Sequence, residues 1–331
     1  MPLRTVHGRS VPAPERDENQ DAFVVAPTRS GGIMLIVCDG MGGMGRGAEA
    51  SRLATRELEL GLGEGGDHDT IAEALVTTDR TLRRKLVDPG PGRPGCTAVV
   101  SLIHDDHCYV GWAGDARCVH IRGGEVLGHT TDHKLIEELV ASGALSREDA
   151  ASGRMGHVVT RCLGGRRSGE PGHAPETLAS AWRLEPGDAL VLCSDGLSDV
   201  LDDEAIARTV HNRSANDAVE ELVAAATARG TQDDCTVVVY RHPVTPALAA
   251  LPREGSTPRP DPLLDLDRTE ENTWPGATGR RRRTPPGPDD PKADKKDEDG
   301  AIDMNMLYIS GAFVCLVVAV LLTAAIMGGW L

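Results

Sequence analysis

The sequence predicts an α+β fold: antiparallel sheets covered by helices, then a disordered linker and one C-terminal transmembrane helix. Behind this lies, first, a set of apolar runs that each meet acid at one end. Ile33 to Gly43 reads IMLIVCDGMGG, an unbroken run of the kind buried on both faces, and it stops at Asp39. CYVGWAGDAR carries Asp115, ALVLCSDGL carries Asp195, TQDDCTVVVY opens on Asp233 and Asp234, and ERDENQDAFVV places Asp21 at a strand's mouth. Acids at so many strand ends imply that several ends meet over one cleft. Second, strands and helices come in clusters without strict alternation, which favours antiparallel meanders over crossover units. Third, composition breaks at Pro243, and little beyond it can be buried until a long apolar run near the C-terminus.

Residues 1–243 are the expected globular domain. Ala22 to Ala26 is a short strand, and the Asp39 strand follows across a Gly-Gly turn. Gly40, Gly42 and Gly43 let the backbone turn and come close to whatever Asp39 holds. Between Val6 and Arg16 prolines interrupt the pattern, so the register of a first strand stays open. Glu49 to Leu60 carries Ala50, Leu53, Ala54 and Leu58 at helical spacing. Thr70 with Glu73 reads as the capping box of a second helix, whose stripe is Ile71, Ala74, Leu75, Leu82 and Leu86. Both stripes are core-facing sides of helices packed on a sheet.

From Cys96 the period turns to strands: Thr97 to Ile103, Cys108 to Ala113, Cys118 to Ile121, and Val126 with Leu127, separated by tight turns. Asp132 to Val140 returns to helix and closes at Gly143; Ser146 with Asp149 suggests a further capping box. Residues 143–157 have the Gly- and charge-rich composition of a mobile flap. Strands are expected around Val158 to Leu163 and at Ala189 to Cys193. A helix carrying Val219, Leu222, Val223 and Ala226 stops at Gly230, before a last strand from Cys235 to Tyr240.

Residues 244–305 are rich in Pro, Gly and charge, the composition of a disordered linker. Met306 to Met327 then runs through roughly twenty apolar positions without a charge, enough at ~1.5 Å per residue to span a bilayer core. Residues 328–331 would form an extracytoplasmic tail. The flanking Arg and Lys all lie on the N-terminal side, so the positive-inside bias puts the domain in the cytoplasm, on the cell membrane through a single pass. The block Arg280 to Arg283 reads equally as a contact for anionic lipid or as solvated linker.

The 331 residues are 40% hydrophobic, sufficient for a sizeable core, and the net charge of −15 argues against nucleic acid as a partner. Eight cysteines show no CxxC pair and sit mostly in apolar runs, so free thiols in a reducing compartment are expected. The polar, Pro-containing first residues give no expectation of a signal peptide. Clustered aspartates without a His- or Cys-rich set suit hard cations such as Mg²⁺ or Mn²⁺. Two such ions sharing a carboxylate can activate a water for in-line attack on phosphorus. Arginine is the best reader of phosphate oxygens, and Arg16 is the candidate; a surface ion pair with Glu15, Asp17 or Glu18 is the alternative.

From about residue 5 to 241 the chain resembles the metal-dependent Ser/Thr protein phosphatases of the PPM (type 2C) family. The likeness runs through R-x-x-N-Q-D, V-x-D-G-M-G-G, G-D-x-R, T-x-D-H, S-D-G-L and D-D-x-T in order. It implies a four-layer sandwich of two antiparallel sheets flanked by helices, with a dinuclear centre at one end. It also implies Asp39 as the carboxylate bridging both metals and the Gly40 carbonyl as a ligand of one. Asp195 and Asp233 would complete the other shell, and Asp21 would hold a metal-bound water or ligate directly. Asp115 with Asp195 would serve a third, weaker metal, and Arg16 would grip substrate phosphate. Met41 stands where eukaryotic members carry a histidine, and Gln20 where many carry an acid. His133 is read as structural. The implied activity is hydrolysis of phosphoserine and phosphothreonine on phosphorylated proteins, opposing bacterial Ser/Thr kinases. The rival is a catalytically silent phosphopeptide-binding scaffold, which would have no need to gather so many repelling carboxylates.

Overall fold

The computed structural model describes residues 5–243 apart from 15, 17, 43–45, 87–92, 147–157 and 166–172. The expected linker 244–305, the apolar run Met306 to Met327 and the tail 328–331 lie outside the described residues. So do Gly43, Asp149 and most of the expected flap. Among the described residues no helix is long and apolar enough to cross a membrane.

In chain order the first elements are β1 (Val6–Val11), β2 (Asp21–Pro27), β3 (Ile33–Met41), α1 (Arg46–Leu62) and α2 (His68–Lys85). Then come β4 (Gly95–His104), β5 (His107–Ala113), β6 (Arg117–Arg122), β7 (Glu125–His129) and α3 (Leu135–Ala141). The short strands β8 (Leu163–Gly164), β9 (Glu176–Thr177) and β10 (Trp182–Arg183) lead to β11 (Ala189–Cys193) and α4 (Asp195–Ser198). The helices α5 (Asp203–Val210) and α6 (Ala215–Ala228) precede β12 (Cys235–Arg241).

Two sheets form, with strand orders β1-β12-β11-β6-β7 and β10-β5-β4-β3-β2; β8 adds to β4 and β9 to β5. Every pairing is antiparallel. The two-residue period of β3 explains why its run is apolar throughout. Ile33, Leu35 and Val37 pack between the sheets with Val99, Val110, Leu190, Leu192, Val238 and Tyr240. Met34, Ile36 and Cys38 face the other way, onto Ala50, Ala54 and Leu58 of α1 and Leu75 and Leu82 of α2. The second sheet does the same, turning Val191, Val237 and Val239 onto Ile206 of α5 and Val219 and Leu222 of α6. The order is helices, sheet, sheet, helices.

Several elements differ from the sequence expectation. The cap of α2 is Asp67, whose carboxylate accepts from the Thr70 N–H at 3.2 Å while the Thr70 hydroxyl accepts from the Asp67 N–H at 3.4 Å. Thr70 is thus the fourth residue of the box, not its first, and Glu73 takes no part. α3 starts at Leu135, because Asp132 to Lys134 are held extended by the Lys134–Val159 bridge. Val158 to Leu163 contributes only that bridge and the start of β8. α5 has no counterpart among the expected helices; Asp202 caps it through the Ala205 N–H at 2.6 Å. The seven described cysteines are free.

Candidate active site

The inward-facing rows of both sheets change from apolar to polar at one end. Following Ile33, Leu35 and Val37, the next inward position on β3 is Asp39; across the ladder it faces Asp21 of β2 and Thr97 of β4. On the other sheet the rows Leu190-Leu192 and Tyr240-Val238 continue to Ser194 and Thr236. These two hydroxyls donate to Asp21 Oδ2, each at 2.7 Å, and so tie the sheets together. Like charges directly opposite on neighbouring strands repel. Burial, then Asp21, Asp195, Asp115 and Asp233, hold the Asp39 carboxyl well above the usual range. Burial does the same for Asp21 against the two hydroxyl bonds, with Asp234 and Asp195 adding to it.

Asp195 opens α4 directly after β11. Burial, then Asp115, Asp199 and Asp233, push its carboxyl up to about 7. The adjacent aspartates before β12 divide the work. Asp234 is buried and accepts from the Ala13 N–H at 2.7 Å, the Gln20 N–H at 2.8 Å and Arg16 Nη1 at 2.9 Å. Asp233 is partly exposed and meets the same Arg16 Nη1 at 2.6 Å. The surface pairing of Arg16 with Glu18 does not form, because Glu18 is taken by Arg52 at 2.9 Å. Glu15 and Asp17 lie outside the described residues. Burial opposes the Arg16 charge, but Asp233 and Asp234 outweigh it and raise its pKa.

Gly40 has a steric reason to be glycine. A Cβ there would stand 2.1 Å from the Gly47 carbonyl oxygen and 2.6 Å from that of Gln20. The Gln20 main chain links the parts, since its carbonyl accepts from the Gly40 N–H at 3.0 Å and its N–H binds Asp234. Asp115 follows β5 and is buried against Lys134, whose Nζ lies 3.3 Å from Asp115 Oδ2, 2.8 Å from Asp199 Oδ1 and 3.9 Å from Asp132 Oδ2. Arg117 grips Asp132 with Nε at 3.0 Å and Nη2 at 2.6 Å, and reaches Asp203 at 2.7 Å. Burial disfavours the Lys134 charge, but Asp115 and Asp199 outweigh it and raise its pKa. His133 accepts from the Gly114 N–H at 3.0 Å and stacks on Trp112 at 5.6 Å, so it is built into the scaffold.

The sequence places Asp234 at a strand mouth and Ser194 and Thr236 inside motifs, but gives none of them, nor Lys134, a role in the site. The donor set suits a hard divalent cation. Asp21 Oδ1 and Asp195 Oδ1 are buried oxygens without a hydrogen-bond partner, and such groups need a cation or donor. Among the described residues no three His, Cys or acidic side chains form a ready-made metal cage; Asp233 pairs with Arg16 and Asp115 with Lys134.

The Protein phosphatase 2C family profile matches residues 37–235. The protein phosphatase PhpP of Streptococcus pneumoniae is 30% identical over 233 residues, covering 68% of this chain and 92% of its own. The serine/threonine protein phosphatase PstP of Mycobacterium tuberculosis is 29% identical over 228 residues, 68% of this chain and 42% of its own. The crystal structure of that phosphatase superposes with a TM-score of 0.63 at 26% identity, over 72% of this chain and 98% of the other. The PPM Ser-Thr phosphatase MsPP of Mycobacterium smegmatis, solved with cacodylate, gives 0.61 at 27% identity, over 72% and 99%.

Proposed function

The chain belongs to the Protein phosphatase 2C family of Ser/Thr protein phosphatases, and on that premise we propose that it hydrolyses phosphoserine and phosphothreonine with Mn²⁺ or Mg²⁺. The observation that carries the metal reading is the pair of partnerless buried oxygens, Asp21 Oδ1 and Asp195 Oδ1, on residues that both repel Asp39. Asp39 would bridge two ions, the Gly40 carbonyl would bind one, Asp195 and Asp233 the other, and Asp21 would act beside Asp39. Bound there, the ions supply a nucleophilic water and offset the charge that grows on the phosphoryl oxygens.

The chain's own residues orient the substrate. Asp234 anchors Arg16 from the buried side through Nη1, which leaves the Nε–Nη2 edge to receive two phosphoryl oxygens side by side. Asp233, on the same nitrogen, keeps that guanidinium beside the carboxylate cluster. Phosphorylated proteins are the substrates in this reading, and Ser/Thr kinases supply them. The apolar run Met306 to Met327 and the basic residues before it support a single-pass membrane tether with the domain in the cytoplasm.

The test is turnover of p-nitrophenyl phosphate and of a phosphothreonine peptide by the full chain, with Mn²⁺ and after chelation. Activity is expected only with metal, and Asp39→Asn should lower kcat by well over ~100-fold, since even outer partners of a metal site are worth ~10–100-fold. Turnover that survives chelation, or an Asp39→Asn variant near wild-type rate, overturns the assignment.

A further inference from the structure

We infer that the Lys134 ammonium takes the place of the third divalent ion that the family resemblance would put at Asp115 and Asp195. The inference rests on the two-ion reading of Asp39 proposed above and concerns the adjoining acidic pocket. Nothing in the sequence marks Lys134 for this. It lies one residue past the T-x-D-H motif, where a solvated lysine would pass unnoticed. The fold instead buries it to 6% exposure.

Its main chain is pinned by the bridge to Val159, and the side chain runs inward to three carboxylates from three elements of the structure. Asp115 comes from the turn after β5, Asp132 from the stretch before α3, and Asp199 from the end of α4. Nζ stands 2.8 Å from Asp199 Oδ1 and 3.3 Å from Asp115 Oδ2. A hard divalent ion binds oxygen at ~2.0–2.6 Å, so an ion on Asp115 Oδ2 would meet the ammonium at close range, cation against cation. The geometry also closes the pocket by other means. Arg117 holds Asp132 with two bonds and Asp203 with a third, so Asp132 is not free to turn toward a metal. Asp115 Oδ2 makes no hydrogen bond, and the Lys134 ammonium is the cation that stands beside it.

Lys134 does for Asp195 part of what a third ion would do. Its one positive charge lies on Asp115 and on Asp199, the residue that follows the short helix Asp195 opens. The consequence is a fixed positive charge behind the centre that no chelator removes and no metal concentration tunes. Lys134 is a positioning residue in this scheme, acting on substrate only through Asp195.

The experiment counts Mn²⁺ bound per full-length chain by the loss of the free-ion electron spin resonance signal, for wild type, Lys134→Ser and Lys134→Arg. Lys134→Ser is expected to bind one ion more than wild type, at higher Mn²⁺ concentration, and to regain thermal stability in that same range. Lys134→Arg, which keeps the charge, should match wild type. A purely structural lysine would lower Tm without changing the count, so a folded Lys134→Ser with the wild-type count overturns the inference. A third ion on wild type overturns it too, and decides the matter if Lys134→Ser fails to fold. Asp39→Asn measured in parallel separates the two readings: full retention of the tighter ions in that variant would refute the Asp39 centre, while the one-ion difference at Lys134 would still stand or fall alone.

Discussion

Asp195 shows what folding asks of a single carboxyl group. Burial with Asp115, Asp199 and Asp233 pushes it up to about 7, while in the unfolded chain it titrates near ~3.9. Between those values the folded state binds the extra proton, so the contribution to stability is complete below about pH 4 and lost as pH rises through about 7. Asp21 and Asp39, also held well above the usual range, act in the same sense. The metal-free chain is therefore expected to melt at a lower temperature at pH 8 than at pH 5, and Asp195→Asn should shrink the difference. An unchanged difference in that variant would place the titrating charge elsewhere. Mn²⁺ in the proposed centre would work the opposite way, binding more tightly as pH rises, because its ligands must be deprotonated. At this scale the acids were legible, since a carboxylate that ends a buried apolar run must be held by a partner or an ion. Their partners were not, because the hydroxyls of Ser194 and Thr236 stand 173 and 215 residues from the Asp21 they hold.

Among the elements, the junction of β3 and α1 depends on backbone meeting backbone. A methyl group at Gly40 would fall 2.1 Å from the Gly47 carbonyl oxygen, which no side-chain rotation relieves. Gly40→Ala is expected to cost about 1–3 kcal/mol, as overpacking generally does, and to lower turnover by shifting the strand end that carries Asp39. Urea unfolding beside a rate measurement checks both, and a variant of normal stability and rate would refute the close approach. The glycines after Asp39 were legible as a need for backbone freedom, but the sequence suggested a sharp turn, whereas β3 continues through Met41 and the need is for space. For α2 the stripe was legible, but the cap lies three residues before the expected one. Thr70 can fill either end of a capping box, and only the hydrogen bonds of Asp67 show which.

At the scale of the whole molecule, one apolar layer holds the two halves of the acidic cluster in register. Leu35 is fully buried in it, among Val99, Val110 and Leu190. Leu35→Ala is expected to cost ~2–5 kcal/mol, which for a domain of this size lowers Tm by roughly 5–15 °C. If the proposed centre is right, the folded variant should still bind Mn²⁺, since those residues lie at the end of the sandwich and not in its middle. A Tm within a degree or two of wild type in a calorimetric scan would show that the layer is not the support described.

The sequence by itself determined the composition of the layers. A strand with core on both faces must be apolar at every position, and a helix with one buried face must carry a stripe, so both patterns are written locally. It also determined that acids sit at strand mouths, because only there can an apolar run afford to stop. Which charge meets which was decided by the tertiary structure alone. Lys134 with Asp115 and Asp199, and Arg16 with Asp234, are pairings across 19, 65 and 218 residues, and nothing local distinguishes these side chains from solvated ones. Electrostatic pairing depends on distance in space, and that distance exists only once the two sheets have closed on their common core.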